Sequence, residues 1–237
     1  RIDKGTHKAV DRFRDFARIV SKNNTKTCWV LKCDIRKFFA SIDHEILKSI
    51  LEKHIQNKET LSLLENIIKS FTNSTLSHQF GKTPHITQNS PWRTLGKGLP
   101  LGNLTSQLLV NIYMNEFDQH MKHKLKVKYY IRYADDFVIL SEDIKYLEIL
   151  LVQISKFLNT KLKLQMHPYK VFIKTLASGI DFLGWINFPK HRSLRTSTKK
   201  RMFRNLERNG YKEESLNSYL GMLLHGDGWK LEQKIKL

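Results

Sequence analysis

The sequence predicts an α+β fold: an antiparallel sheet with helices packed on one face. Three observations carry this. Lys128–Leu140 reads as a β-hairpin, two apolar, aromatic-rich runs around the adjacent acids Asp135 and Asp136. Thr27–Ile35 alternates as a strand does. Elsewhere apolar residues recur at helical spacing, so the order is strand, helices, hairpin, helix, short strands.

The elements follow in turn. Asp11–Val20 reads as a basic amphipathic helix. In the strand, Trp29, Leu31, Cys33 and Ile35 point one way and pack on helices. Val30, Lys32 and Asp34 point the other way, onto an open face. Asp43 is placed to cap a helix carrying Ile46, Leu47, Ile50 and Leu51. A second helix covers Glu59–Ser70. Residues 73–94 are polar and broken by Gly81, Pro84 and Pro91, which predicts a loop or irregular hairpin. From about Thr105 a helix carries Leu108, Leu109, Ile112, Tyr113 and Phe117. After the hairpin, Ser141 is read as the N-cap of a helix with Leu147, Leu150, Leu151, Ile154 and Phe157 inward. Short strands are expected at Leu162–Gln165, Lys170–Lys174 and Phe182–Ile186, and basic helix from Thr198.

Composition narrows the partner. Lys and Arg number 41 against 22 acids, a net charge of +19, which points to a polyanion and first to nucleic acid. No apolar run approaches the ~18 residues of a membrane span, and no secretory signal is seen. Cys28 and Cys33 are too few for a disulfide framework or a zinc site, so a cytoplasmic location is expected. The chain opens on Arg1 in mid-pattern and is read as part of a longer protein.

The acids suggest chemistry. Asp135 and Asp136 repel each other at a tight turn, and a divalent cation would relieve that, since carboxylate oxygens suit Mg²⁺. Asp is also an ordinary turn residue, so both readings stand on this pair alone. Asp34 alone is a solvated strand end. Together the three can hold two Mg²⁺ ions, which at roughly 3.5–4 Å apart clamp the attacking and leaving oxygens of a phosphoryl displacement.

Here the sequence resembles the reverse transcriptase family. Cys33-Asp34-Ile35-Arg36-Lys37-Phe38-Phe39 looks like the first catalytic motif, and Tyr133-Ala134-Asp135-Asp136 like the second. Gly98–Gln107 lies where the family has its nucleotide-pocket motif. His167-Pro168-Tyr169-Lys170 and Gly179–Trp185 are similar to the later lysine motif and the primer grip. Five motifs in order are far more specific than one. The resemblance implies a right-hand polymerase palm over residues 27–188, with 73–97 as a polar insertion. Partial fingers precede it at 1–26, and the primer-grip exit and start of a helical thumb follow at 189–237.

It also implies roles. Asp34, Asp135 and Asp136 are the catalytic metal ligands, with Ile35 contributing backbone. Ile35, Arg36, Phe39, Leu101, Gly102 and Lys170 face the nucleotide, Phe39 as the gate against a ribose 2′-hydroxyl. Tyr133, Phe182, Leu183, Gly184, Lys200, Arg204 and Arg208 face primer or template. The last three recur every four residues on one helix face, in a stretch with nine Lys/Arg and one acid between Lys190 and Lys212. Such a face suits phosphate contacts. The implied partners are an RNA template, a cDNA or primer strand, dNTPs and a small basic helical accessory protein, in a bacterial or phage setting.

The motif is narrowed by Leu101, where most bacterial reverse transcriptases have Gln, and by Ser106-Gln107 where they have Ser-Pro. These, with Lys4–Val10 and Asn217–Gly221, are similar to reverse transcriptases of diversity-generating retroelements, which misincorporate opposite template adenine. Leu cannot hydrogen-bond near sugar or base, so looser discrimination is expected; simple packing of Leu101 is the other reading. Group II intron, retron and phage-defence reverse transcriptases are the near alternatives. An inactive RNA-binding scaffold and a palm-fold cyclase are the distant ones. Asp118, Asp143 and Asp181 are read as helix or turn positions, and His7, His44, His78, His85 and His225 as surface or core. Lys122, Lys124, Lys126 and Lys128 either line a strand face or straddle a helix end.

Overall fold

The structure, a computed structural model, describes residues 5–70, 96–100 and 102–236. The expected loop at 73–94, His78, His85, Lys4 and Leu101 lie outside the described residues. The chain divides into two compact units, Arg1–Lys32, Tyr129–Ile149 and Phe172–Leu237 in the first, Cys33–Lys128 and Leu150–Val171 in the second.

In the first unit, α1 (Thr6–Val20) buries Val10, Phe13, Ala17 and Val20, spaced at three and four residues. It begins ahead of the predicted Asp11, and Gly5 before it offers no side-chain cap to mark the start. Strand β1 (Trp29–Asp34) pairs antiparallel with β4 (Phe172–Thr175), Trp29 opposite Thr175 and Lys32 opposite Phe172. Strands β2 (Tyr130–Tyr133) and β3 (Asp136–Ser141) form the predicted hairpin, and the sheet order is β2-β3-β1-β4.

The open face predicted for β1 is closed at one end. Val30 is fully buried beside Phe13, Val138 and Ile131, because α1 covers β2 and β3. Only Lys32 and Asp34, both partly exposed, keep that face polar.

A second, three-stranded sheet replaces the predicted strand Phe182–Ile186. Here β5 (Ile180–Phe182) turns into β6 (Trp185–Asn187), followed by β7 (Arg192–Leu194). The turn is Leu183-Gly184, both at positive φ, which breaks the run at its apolar middle. Helix α7 (Thr196–Arg208) then buries Met202 and Leu206 against Trp185 and Leu194. Leu223 of α8 (Glu213–Leu223) and Ile235 of α9 (Trp229–Lys236) join that cluster.

The second unit is mainly helical: α2 (Phe38–Ser41), α3 (His44–His54), α4 (Lys58–Ser70) and α5 (Leu104–Gln119). Asp43 caps α3 as predicted, accepting from the Ile46 N–H at 3.2 Å. Its other oxygen accepts from Lys163 at 2.9 Å. On α5 the buried face is Ser106, Leu109, Val110, Tyr113, Met114 and Phe117. Leu108 is 61% exposed, so the inward stripe is displaced from the predicted one.

The π-helical turn His120–Lys124 extends α5, so Lys122, Lys124, Lys126 and Lys128 straddle a helix end. Helix α6 (Ile144–Lys161) is capped by Asp143, which accepts from Lys145 N–H at 2.8 Å. Ser141 instead ends β3 and accepts from Asp143 N–H at 3.0 Å, two residues too early to be the cap. Leu162–Gln165 forms no strand. It passes into a single bridge between Ile35 and Met166, while the Tyr113 hydroxyl donates to the Leu162 carbonyl at 2.6 Å.

Both cysteines are buried thiols outside any disulfide, and burial pushes the Cys28 thiol up to about 12.

Candidate active site

The hairpin tip follows from its register. Tyr133 pairs with Asp136, which leaves Ala134 and Asp135 as a two-residue turn. Ala134 takes φ 52, the left-handed region hairpin turns demand and side chains resist. Arg132 Nη1 steadies it by donating to the Ala134 carbonyl at 2.9 Å. Asp135 therefore sits in the turn itself, Asp136 opens β3, and Tyr133 is 42% exposed.

Asp136 does not stand alone. Lys32 Nζ lies 3.4 Å from its Oδ2, the two side chains only 12% and 20% exposed. Sequence reasoning assigned Lys32 no role; its place on the face that carries Asp34 was the available signal.

In the second unit, Lys170 Nζ is 3.2 Å from Asp34 Oδ2. Two backbone bonds hold this pairing: His167 N–H donates to the Asp34 carbonyl at 2.7 Å, and Arg36 N–H to the Gln165 carbonyl at 2.8 Å. Lys170 accordingly lies in a turn ahead of β4, not in the strand predicted there. The Arg36 amide is already occupied, so its exposed side chain is the part left to meet a nucleotide. Ile35 is buried, and its bridge to Met166 is made by the groups flanking it.

Phe38 fills the core, while Phe39 is only half-buried. The Gly-rich stretch is laid against them: Leu99 N–H donates to Phe39 O at 2.8 Å, Gly98 N–H to Ile42 O at 2.7 Å and His44 N–H to Gly96 O at 2.9 Å. The buried His44 Nε2 adds a 2.6 Å bond to the Gly98 carbonyl. Nothing in the sequence marked His44 for this anchoring. Gly102 is at φ 92, which a side chain would strain.

Phe182, expected to face primer or template, is fully buried beside Phe13, so its side chain is core, while Leu183 and Gly184 form the turn after it. Lys200, Arg204 and Arg208 are exposed along α7, opposite the buried Met202 and Leu206. Asp143 is a cap and Asp181 pairs with Arg195 at 3.0 Å. Asp34 belongs to the second unit and Asp135 and Asp136 to the first. Among the described residues, no three His, Cys, Asp or Glu side chains are gathered as a preformed metal cage.

Comparison with known proteins places this arrangement. The family model described as reverse transcriptase (RNA-dependent DNA polymerase) matches residues 3–187. Protein YkfC of Escherichia coli is 24% identical over 216 residues, covering 78% of this chain and 52% of its own. The group II intron-encoded protein LtrA of Lactococcus lactis is 23% identical over 222 residues, 66% of this chain and 34% of its own. The chain thus spans about half or less of the relatives it matches. Apo telomerase from Candida tropicalis, truncated from its C-terminal domain, shares the fold with a TM-score of 0.57 at 14% identity, over 81% of this chain and 40% of its own. Telomerase from Candida albicans, in complex with a fragment of telomeric RNA, gives 0.52 at 12% identity, over 98% and 43%. With more than half of its length matched by the family model, and the acids Asp34, Asp135 and Asp136 inside that match, the chain belongs to the reverse transcriptase family.

Proposed function

We propose that this chain carries the polymerising centre of an RNA-directed DNA polymerase, which extends a primer along an RNA template with deoxynucleotides. The observation that carries the reading is the family match over residues 3–187, enclosing a hairpin that holds Asp135 in its turn. In this reading residues 1–26 belong to the fingers, 27–188 to the palm and 189–237 to the primer-grip exit and thumb.

Asp34, Asp135 and Asp136 are assigned as ligands of two Mg²⁺ ions. The donor chemistry fits: these are hard carboxylate oxygens, and Asp34 and Asp136 each already attract a cation, the ammonium groups of Lys170 and Lys32. Bound there, the ions supply charge neutralisation for an in-line displacement. The chain's own residues do the rest. Lys170 is placed to pass from Asp34 to the negatively charged leaving group. Phe39, half-buried, is the side chain set to exclude a 2′-hydroxyl. Lys200, Arg204 and Arg208 meet duplex phosphates. Asp135→Asn abolishes Mg²⁺-dependent extension of oligo(dT) on poly(rA) while leaving RNA binding within a fewfold. Extension that survives the substitution removes the assignment, and extension lost together with RNA binding points to misfolding.

The subtype rests on Leu101, Lys4–Val10 and Asn217–Gly221, which favour the error-prone enzyme of a diversity-generating retroelement working with a small basic accessory protein. A group II intron, retron or phage-defence enzyme is the alternative. The group II intron-encoded relative, at 23% identity, leaves the choice to those motifs.

A further inference from the structure

The first unit contains a cavity of about 480 Å³ remote in sequence from every residue assigned to catalysis. Its walls come from three places. Arg14 and Arg18 come from α1, Phe188 and Lys190 from the β6–β7 connection with Arg192 opening β7, and His225 and Asp227 from the segment after α8. The lining holds four permanent cations, against Asp227 on the wall and Asp11 behind Arg192.

Arg192 is the deep element. Its side chain is only 10% exposed, Nη2 donates to Asp11 at 2.7 Å, and the guanidinium lies over the Trp185 ring at 5.9 Å. Its Nη1 is buried with no hydrogen-bond acceptor among the described residues, a costly state for a charged donor. Arg192 lines the cavity, so its charge adds to those of Arg14, Arg18 and Lys190 there.

The walls are fixed. A Cβ on Gly226 would stand 2.1 Å from the Trp185 ring, so only glycine permits this approach, and Asp227 N–H donates to the Arg192 carbonyl at 2.8 Å. Phe188 lies so close to Gly179 that a Cβ there would stand 2.7 Å from its ring. The same ring stacks on His191 at 4.8 Å and 18°. The cavity therefore has a cationic floor beside a rigid aromatic plane, and its volume is that of a small-ligand pocket. Cations beside an aromatic platform are how proteins hold single-stranded nucleic acid.

We propose that this pocket binds one nucleotide of a single nucleic-acid strand, the phosphate against Arg192 and its neighbouring cations and the base against the Phe188–His191 stack. The site shares no residue with those assigned to the polymerising centre and is tested without it.

The probe is a fluorescent ten-nucleotide oligo(rU), titrated in EDTA without deoxynucleotides, so that copying plays no part. Arg18→Glu/Lys190→Glu changes two exposed wall residues and leaves the Arg192–Asp11 pair in place. It is expected to weaken binding at least tenfold and to flatten the slope of log affinity against log salt by at most ~0.7, the share of the one phosphate in the pocket. Lys156→Glu/Lys161→Glu, on exposed α6 positions, makes the same charge change and is expected to stay within threefold. A 4-thiouridine version of the oligonucleotide is expected to photocrosslink to the peptide bearing Phe188 and His191. Equal losses in the two double variants, with crosslinks elsewhere, overturn the site. Displacement of oligo(rU) by AMP at equal affinity overturns the strand in favour of a mononucleotide.

Discussion

Lys32 Nζ stands 3.4 Å from Asp136 Oδ2, with both side chains largely withdrawn from water. A lysine on β1 thus neutralises one of the two adjacent acids that open the hairpin's second strand. The pairing explains how Asp135 and Asp136 sit side by side in a tight turn. Part of their repulsion is offset by the protein itself.

Lys32→Met keeps the apolar stem and removes the charge. Between the ~1 kcal/mol ceiling of exposed pairs and the 3–5 of buried ones, the expected loss is about 2 kcal/mol. Urea unfolding with unchanged m-value measures it. If the hairpin acids hold Mg²⁺, millimolar Mg²⁺ recovers part of the loss, while K⁺ at equal ionic strength does not.

Lys170 offers the opposite balance. Its side chain is 56% exposed, so its bond to Asp34 contributes little to stability. Lys170→Ala is expected to leave the thermal midpoint nearly unchanged and to slow primer extension about 10²-fold, the scale of a lost proton donor. A large drop in midpoint with unaltered extension would mark the residue as structural.

Asp43 carries a pH signature. Burial pushes its carboxyl up, but the bonds from Lys163 and from the Ile46 amide outweigh that and hold it below the ordinary range. A carboxyl depressed on folding stabilises above its unfolded value of about 3.9 and loses that contribution as pH falls through the folded value. Asp43→Asn, which still caps α3, is expected to flatten the acid limb of stability below about pH 4. Asp43→Ala also loses the cap, costing about 2 kcal/mol at pH 7. Denaturant melts at pH 3, 5 and 7 separate the two.

Leu101→Gln tests the subtype. One restored hydrogen bond is worth about 1 kcal/mol net, so misincorporation opposite template adenine is expected to fall about fivefold. Sequencing of cDNA copied from a defined RNA reads it directly. An unchanged error rate would assign Leu101 to packing.

What the sequence made legible was local. Asp43 followed by apolar residues three and four apart fixes a capped helix, and two apolar runs around Ala134-Asp135 fix a hairpin. Gly184 also marked the β5–β6 turn, but it sits inside an apolar run whose alternation reads through it. The remaining differences are long-range. Val30 is buried because α1 crosses the hairpin, and no periodicity within β1 reports that. Lys32 and Lys170 meet acids 104 and 136 residues away, partners that no local pattern reports.

The order β2-β3-β1-β4 has a consequence for synthesis of the chain. Trp29 of β1 must wait for Thr175 of β4, 146 residues later, before the pair can close. At 5–20 residues per second the gap is roughly 7 to 30 s. Until β3 is made at Asp136–Ser141, a strand with Val30 and Leu31 destined for full burial has neither edge satisfied, and its β4 edge stays open to the end of the gap. The nascent protein is therefore most vulnerable to aggregation between synthesis of β1 and of β4, and a truncation ending before β4 should need a chaperone to stay in solution.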